Sequence, residues 1–263
     1  MIGQKRLLDR IDKYSLNNFP NTSLILGEDG SGKHLIAKYI ADRFNVELVD
    51  ITKIIDNEVI DNIYRSSSIN FYLIDLDELT EKFADKNQNM ILKFIEEPLS
   101  NAFILLLAEN KYALLDTIVN RCIIFDLDKY SDEELLNFTS NKDIIKLVRT
   151  PGKIALCQDT ISDMNTLCNK IVNDLGKANF ANALTIADKF NYSDEYDKFD
   201  VDIFLTLLIN TFFNNYKDNN NVKSLKMYLL LADEVKKLKD KRLSKKIFMQ
   251  HLIIKLWKEA VND

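Results

Sequence analysis

Residues 27–34, GEDGSGKH, have the GxxxxGK spacing of a loop that cradles phosphate. In such a loop the backbone N–H groups and the positive end of the following helix hold phosphate oxygens, while the lysine, here Lys33, reaches the outer phosphates. Gly27, Gly30 and Gly32 are three of only six glycines in the chain. The residue that permits positive φ and close backbone approach is thus concentrated where such a loop needs it, with Ser31 between the last two. At the eighth position, where a serine or threonine hydroxyl ordinarily holds magnesium, stands His34, a bulkier nitrogen ligand poorly matched to that ion. These residues fit a weak or vestigial ATP or ADP site, or a glycine-rich turn that holds nothing. Metal-dependent hydrolysis is what they fit least.

A second candidate is the apolar run at 71–76, which is followed by the acidic residues Asp77 and Glu78. Asp75 is placed to orient a magnesium-bound water. The next position, where a hydrolytic enzyme of this kind carries the glutamate that polarises the attacking water, is Leu76, and Glu78 would serve only with a shifted register. A capped strand with a solvated acidic loop explains the same residues.

Elements of two kinds must position these groups. Near-continuous apolar runs at 23–26, 46–49, 71–76, 103–108 and 123–127 read as strands buried on both faces. Between them Leu35, Ile36, Tyr39, Ile40 and Phe44 share a helical face, as do Val59, Ile60, Ile63 and Tyr64, and then Met90, Ile91, Phe94 and Ile95. Strand and helix alternating in this way give a parallel sheet with helices on both sides. Beyond residue 127 the strand signal stops. Ser131 with Glu134 forms a capping box, Thr150-Pro151 opens another helix, and polar breaks at 191–197 and 217–221 divide the remainder, with 219–221 a surface turn. The expected organisation is an α/β nucleotide-binding-like domain at 1–127, a small helical domain at 128–160 and an all-α bundle at 161–263.

Composition narrows the class. With 263 residues, 46% apolar and 29% charged, the chain is neither disordered nor fibrous. No apolar run is long enough to span a membrane, and the charged start does not read as a signal peptide. Cys122, Cys157 and Cys168 are odd in number and far apart, which points to a reducing cytoplasm rather than to disulfides or a zinc knuckle. A net charge of −5 argues against coating nucleic acid through the overall field.

The segment QNMILKFIEEP at 88–98, the strand ending Ala108-Glu109-Asn110, and TIVNRC at 117–122 together resemble the clamp-loader branch of the AAA+ ATPases. TIVNRC is similar to the Ser-Arg-Cys motif of bacterial clamp-loader subunits, with Asn120 in place of the serine. Within that branch the likeness is to the delta-prime, or stator, type of DNA polymerase III. The resemblance is strong over 20–127 and a matter of pattern afterwards. It implies an AAA+ domain with a five-stranded parallel sheet, a helical lid and a helical collar, assembled with gamma/tau and delta subunits into a five-membered ring. That ring places a sliding clamp on primed DNA. It further implies that Arg121 is projected into a neighbour's ATP site as an arginine finger. Asn110 and Lys153, the latter near a second sensor position, would join the loop residues around any nucleotide. The interval 35–70 has no cysteine, so the four-cysteine zinc module of many relatives is not expected.

Read without the family, Arg121 is an ordinary surface arginine and Lys153 a solvated lysine in a helix's first turns. An active AAA+ ATPase is the alternative that Lys33, the intact glycines and Asp75 support, and a small-molecule kinase is a poorer third because no arginine-rich lid is apparent. The basic run at 236–246 could meet DNA or an acidic partner, and reads best as a solvated helix face. His251 and Trp257 lie on an apolar stretch suited to a core or a collar interface, and Cys122 reads as a packed, unreactive thiol.

Overall fold

The computed structural model describes residues 3–80, 91–92, 94–96, 101–174, 181, 184–187, 199–236 and 245–261. The chain forms two compact units, one of Met1–Ser140 with Arg149–Lys153 and the other of Asn141–Val148 with Ile154–Asp263.

The first unit is built on five strands, β1 (Thr22–Leu26), β2 (Glu47–Asp50), β3 (Asn70–Asp75), β4 (Ala102–Ala108) and β5 (Ile123–Asp126). All pair in parallel, in the order β2-β3-β4-β1-β5. The apolar runs read from the sequence are these strands, with ends shifted by one residue; Leu76 leaves the third and opens a helix. The central strands β1 and β4 are buried along their whole length, as parallel strands covered on both faces must be.

Helices α1 (Lys5–Ile11), α2 (Lys33–Phe44), α3 (Asn57–Arg65), α4 (Leu76–Thr80) and α5 (Asp116–Val119) connect and flank the strands. Residues 91–92 and 94–96 are also helical, and Met90 of the expected apolar face lies outside the described residues. One face of the sheet packs Ile60, Ile63, Ile91, Phe94 and Ile95, and the other packs Leu7, Ile11, Ile36 and Ile40. Leu35, expected on the inner face of α2, is 60% exposed: that helix buries Ile36, Ala37, Ile40 and Ala41, a narrower stripe set one residue round. The second layer of core is aromatic at its centre. Phe71 stacks on Phe103 at 5.0 Å between ring centroids and meets Phe19 edge-on at 5.6 Å.

The short helix α6 (Asp132–Leu135) carries the capping box, Ser131 Oγ accepting from Glu134 N while the Glu134 carboxylate accepts from Ser131 N. The second unit is helical in its described residues. It contains α7 (Lys142–Leu147), most of α8 (Pro151–Asp174), α9 (Val201–Asn219), α10 (Val222–Glu234) and α11 (Lys245–Val261). Helix α8 opens at Pro151 as expected and continues through residue 160, where the lid was expected to end, while residues 128–160 contribute to both units. Helix α9 packs on α10, and α10 on α11. The expected turn is present but narrower, since Lys217, Asp218 and Asn219 stay in α9: Asn220 at φ 51° closes that helix, and Asn221 accepts from Ser224 N to open α10. The break expected at 191–197 and residues 237–244 of the basic run lie outside the described residues. His251 is exposed, whereas Leu252, Ile253 and Leu256 are buried.

Phe71 is fully buried and touches three other rings. Phe71→Ala is expected to cost about 3–5 kcal/mol, read as a lowered urea midpoint at unchanged m-value.

Candidate phosphate loop and the Arg121 cluster

β1 delivers the chain to Gly27, whose N–H donates to the Ala108 carbonyl of β4 at 3.1 Å. The loop then turns through Gly30 at φ 72° and Gly32 at φ 99°, a left-handed region that side chains with a Cβ rarely adopt. Gly32 caps α2, which starts at Lys33. The strand–loop–helix context that a phosphate cradle requires is present.

Its charged groups are committed to one another. Lys33 is 8% exposed, so its ammonium needs partners. It donates to the Gly27 carbonyl at 2.8 Å and lies 3.8 Å from Asp77 Oδ2. Asp75, the last residue of β3 and also buried, accepts from the N–H groups of Asp77 and Glu78 through Oδ1 and so caps α4. Its other oxygen, Oδ2, is 3.7 Å from His34 Nε2. Leu76 is in the core at 2% exposure. Thr52 Oγ1 accepts from Asp75 N at 2.9 Å and holds the end of the strand.

The tip of the loop is covered by the residues that open α8. Thr150 Oγ1 donates to the Asp29 carbonyl at 2.8 Å, and Gly152 N to the Gly30 carbonyl at 2.9 Å. Lys153 Nζ lies 3.8 Å from Asp29 Oδ2. A Cβ on Gly152 would stand 2.7 Å from Gly30 Cα, so two glycines meet where no side chain fits. From beneath, Tyr130 donates its phenol to the Ser31 carbonyl at 2.8 Å. Burial raises that phenol above its ordinary range and keeps it a donor. Ser31 Oγ is buried and has no hydrogen-bond partner among the described residues.

Gly27, Gly30, Ser31, Gly32, Lys33, His34, Asp75 and Lys153 therefore converge. Asn110 follows β4 at the same edge of the sheet, but its side chain accepts from Tyr112 N at 2.9 Å and caps its own turn. Arg121 belongs to a separate cluster. It follows α5, where its Nη1 donates to the Thr117 carbonyl at 3.0 Å and its Nη2 lies 3.0 Å from Glu96 Oε1. Cys122 beside it donates to the Ile118 carbonyl, and burial pushes its thiol up to about 12. No group of three or more His, Cys, Asp or Glu side chains among the described residues is placed to hold a metal ion, and no helix among them is long and apolar enough to cross a membrane.

Residues 45–131 match the family described as "DNA polymerase III, delta subunit". The chain is 27% identical over 169 residues to DNA polymerase III subunit gamma of Buchnera aphidicola subsp. Schizaphis graminum, covering 52% of this chain and 47% of that protein. The same-named protein of the subspecies Acyrthosiphon pisum is 26% identical over 172 residues, with the same coverage. Over these residues the chain is similar to subunits of DNA polymerase III. It spans about half the length of the curated relatives it matches. Among solved structures, a gamma subunit-related protein of Thermotoga maritima aligns with a TM-score of 0.54 at 15% identity, over 97% of this chain and 99% of that one. A threonine-to-valine variant of Thermotoga maritima RuvB aligns at 0.50 with 18% identity, over 82% and 78%. Both share the AAA+ fold expected for the clamp-loader type. The matched names, delta and gamma, are coarser than the delta-prime type that the motifs resemble.

Several members of these two clusters are not evident from motif spacing. Thr150 and Gly152 are legible only as the start of a helix, and Tyr130 and Thr52 carry no local signal. Glu96 stands within a recognisable motif that gives it no role of its own. Asp77 and Glu78 read as an acidic loop, with no sign that they complete a cap on Asp75.

Gly152→Ala is expected to destabilise the chain by about 1–3 kcal/mol, because the added methyl overlaps the Gly30 backbone. A lowered thermal midpoint would show it, and an unchanged one would show that the contact yields without cost. Cys122, protonated at neutral pH, is expected to resist a disulfide reagent at pH 8 in the folded chain and to react once the chain is unfolded in urea.

Proposed function

We propose that the chain is a stator-type, delta-prime subunit of a DNA polymerase III clamp loader, whose part in catalysis is to lend Arg121 to the ATP site of a neighbouring subunit. The observation that carries this reading is the state of Asp75. One carboxylate oxygen caps α4 and the other faces His34, so the acid that would orient a magnesium-bound water is held by the chain's own groups. Leu76 beside it supplies no carboxylate to polarise water, and Lys33 is buried against the Gly27 carbonyl and Asp77. Arg121, by contrast, is 41% exposed, with a permanently charged fork suited to phosphoryl oxygens.

On this reading the partners are gamma/tau and delta subunits, with the sliding clamp and primer-template DNA engaged through the assembly in the cytoplasm. Any ATP or ADP held at residues 27–34 would sit in a weak site, with Lys33, His34, Asp75, Asn110 and Lys153 around it, and no zinc is called for. A second reading, an active motor-type ATPase, is favoured by the intact glycine conformations of the loop and by relatives that carry the gamma name.

The test is DNA- and clamp-stimulated ATP hydrolysis by the assembly reconstituted with its cognate ATPase and delta subunits. Arg121→Ala in this chain is expected to lower turnover by about tenfold or more, while Lys33→Ala leaves it nearly unchanged. The reverse pattern would make this chain an ATPase in its own right.

A further inference from the structure

We infer that Glu96 is the positioning residue for Arg121, holding its guanidinium in the orientation in which it meets a phosphate. The inference rests on the reading of Arg121 as a residue lent to a neighbour.

An exposed arginine samples many rotamers, and a partner's phosphate must otherwise order it at the moment of contact. Arg121 is ordered in advance from two sides. Its Nη1 donates at 3.0 Å to the Thr117 carbonyl, one of the acceptors left without a helical partner at the end of α5. Its Nη2 lies 3.0 Å from Glu96 Oε1. Contacts to two different terminal nitrogens fix both the position and the plane of the fork. A guanidinium has five N–H donors, so these two leave Nε–H and one hydrogen on each Nη for phosphoryl oxygens.

Glu96 is suited to the task by where its backbone is fixed. The two residues before it, Phe94 and Ile95, are 1% and 4% exposed in the core against the sheet, whereas its own carboxylate is 48% exposed. The carboxylate is therefore carried by an anchored helix yet remains at the surface beside the arginine. An ion pair this exposed adds little to folding stability. A loss of function without a loss of stability separates positioning from a merely structural role.

The experiment is a double-mutant cycle in the reconstituted assembly, reading stimulated ATP hydrolysis with primed DNA and sliding clamp, alongside the urea midpoint of each variant. Glu96→Ala is expected to lower kcat about fivefold at unchanged KM for ATP. Glu96→Gln, which keeps an acceptor for Nη2, is expected to recover most of that loss, and Glu96→Ala is expected to add nothing in the Arg121→Ala background. Turnover at the wild-type level in Glu96→Ala, faster turnover, or an equal loss with and without Arg121 would each overturn the inference. If Arg121→Ala itself leaves turnover intact, the finger reading fails, and the inference fails with it for that separate reason.

Discussion

Parallel strands are joined through crossover helices, and helices on both faces leave the sheet no side for water. The first unit accepts this constraint in its central strands, while the outer strands β2 and β5 are partly exposed. β1 and β4 are buried at every position, and two separate apolar layers, one rich in isoleucine and one centred on phenylalanine rings, close over the two faces. Polar chemistry is thereby expelled to the ends of the strands. Leu26 lies level with Ala108, and Asp75 level with Leu107, so β1, β3 and β4 release their chains at one edge, where Gly27, Asp75 and Asn110 gather. That is where open α/β sheets place their ligands, and the same geometry sets the candidate phosphate loop here.

At that edge the charges are balanced within the chain. A buried ammonium and a buried carboxylate both require compensation, and each finds it locally: Lys33 in the Gly27 carbonyl and Asp77, Asp75 in two backbone N–H groups. The close meeting of Gly30 with Gly152 ties the loop to the first turn of α8, with Thr150 and Lys153 engaging Asp29 on either side. Residue types able to bind and activate a nucleotide are thus also able to serve as caps and clasps. The geometry alone distinguishes these uses.

What is legible in the sequence follows from the range of the forces involved. Strands, the alternation of helix and strand, the capping box at Ser131 and the turn at 219–221 are set by local pattern or local hydrogen bonds, and these are found where expected. The loop, with its concentrated glycines, is equally visible because positive φ is a local demand. Leu35 departs from expectation because helical spacing marks an apolar stripe but does not fix which edge of that stripe faces inward. Tyr130 on Ser31, Thr150 on Asp29 and Glu96 on Arg121 are illegible because each joins residues distant in sequence, through contacts that only the folded chain creates.

The contrast between the two clusters explains how one can recede while the other persists on the proposed reading. Hydrolysis in cis needs a lysine, a metal-holding hydroxyl, an acid and a water-polarising glutamate mutually placed within one site, so on the stator reading a leucine at position 76 and a histidine at 34 remove the purpose of the rest. Lys33 and Asp75 can then serve as structural charges without loss. A cation lent across an interface depends on far less: exposure, permanent charge and a fixed direction. Arg121 has all three within a short span of chain and one ion pair, with α5 supplying the carbonyl and Glu96 the carboxylate. Its function can therefore stand apart from the fate of the phosphate loop in the same unit.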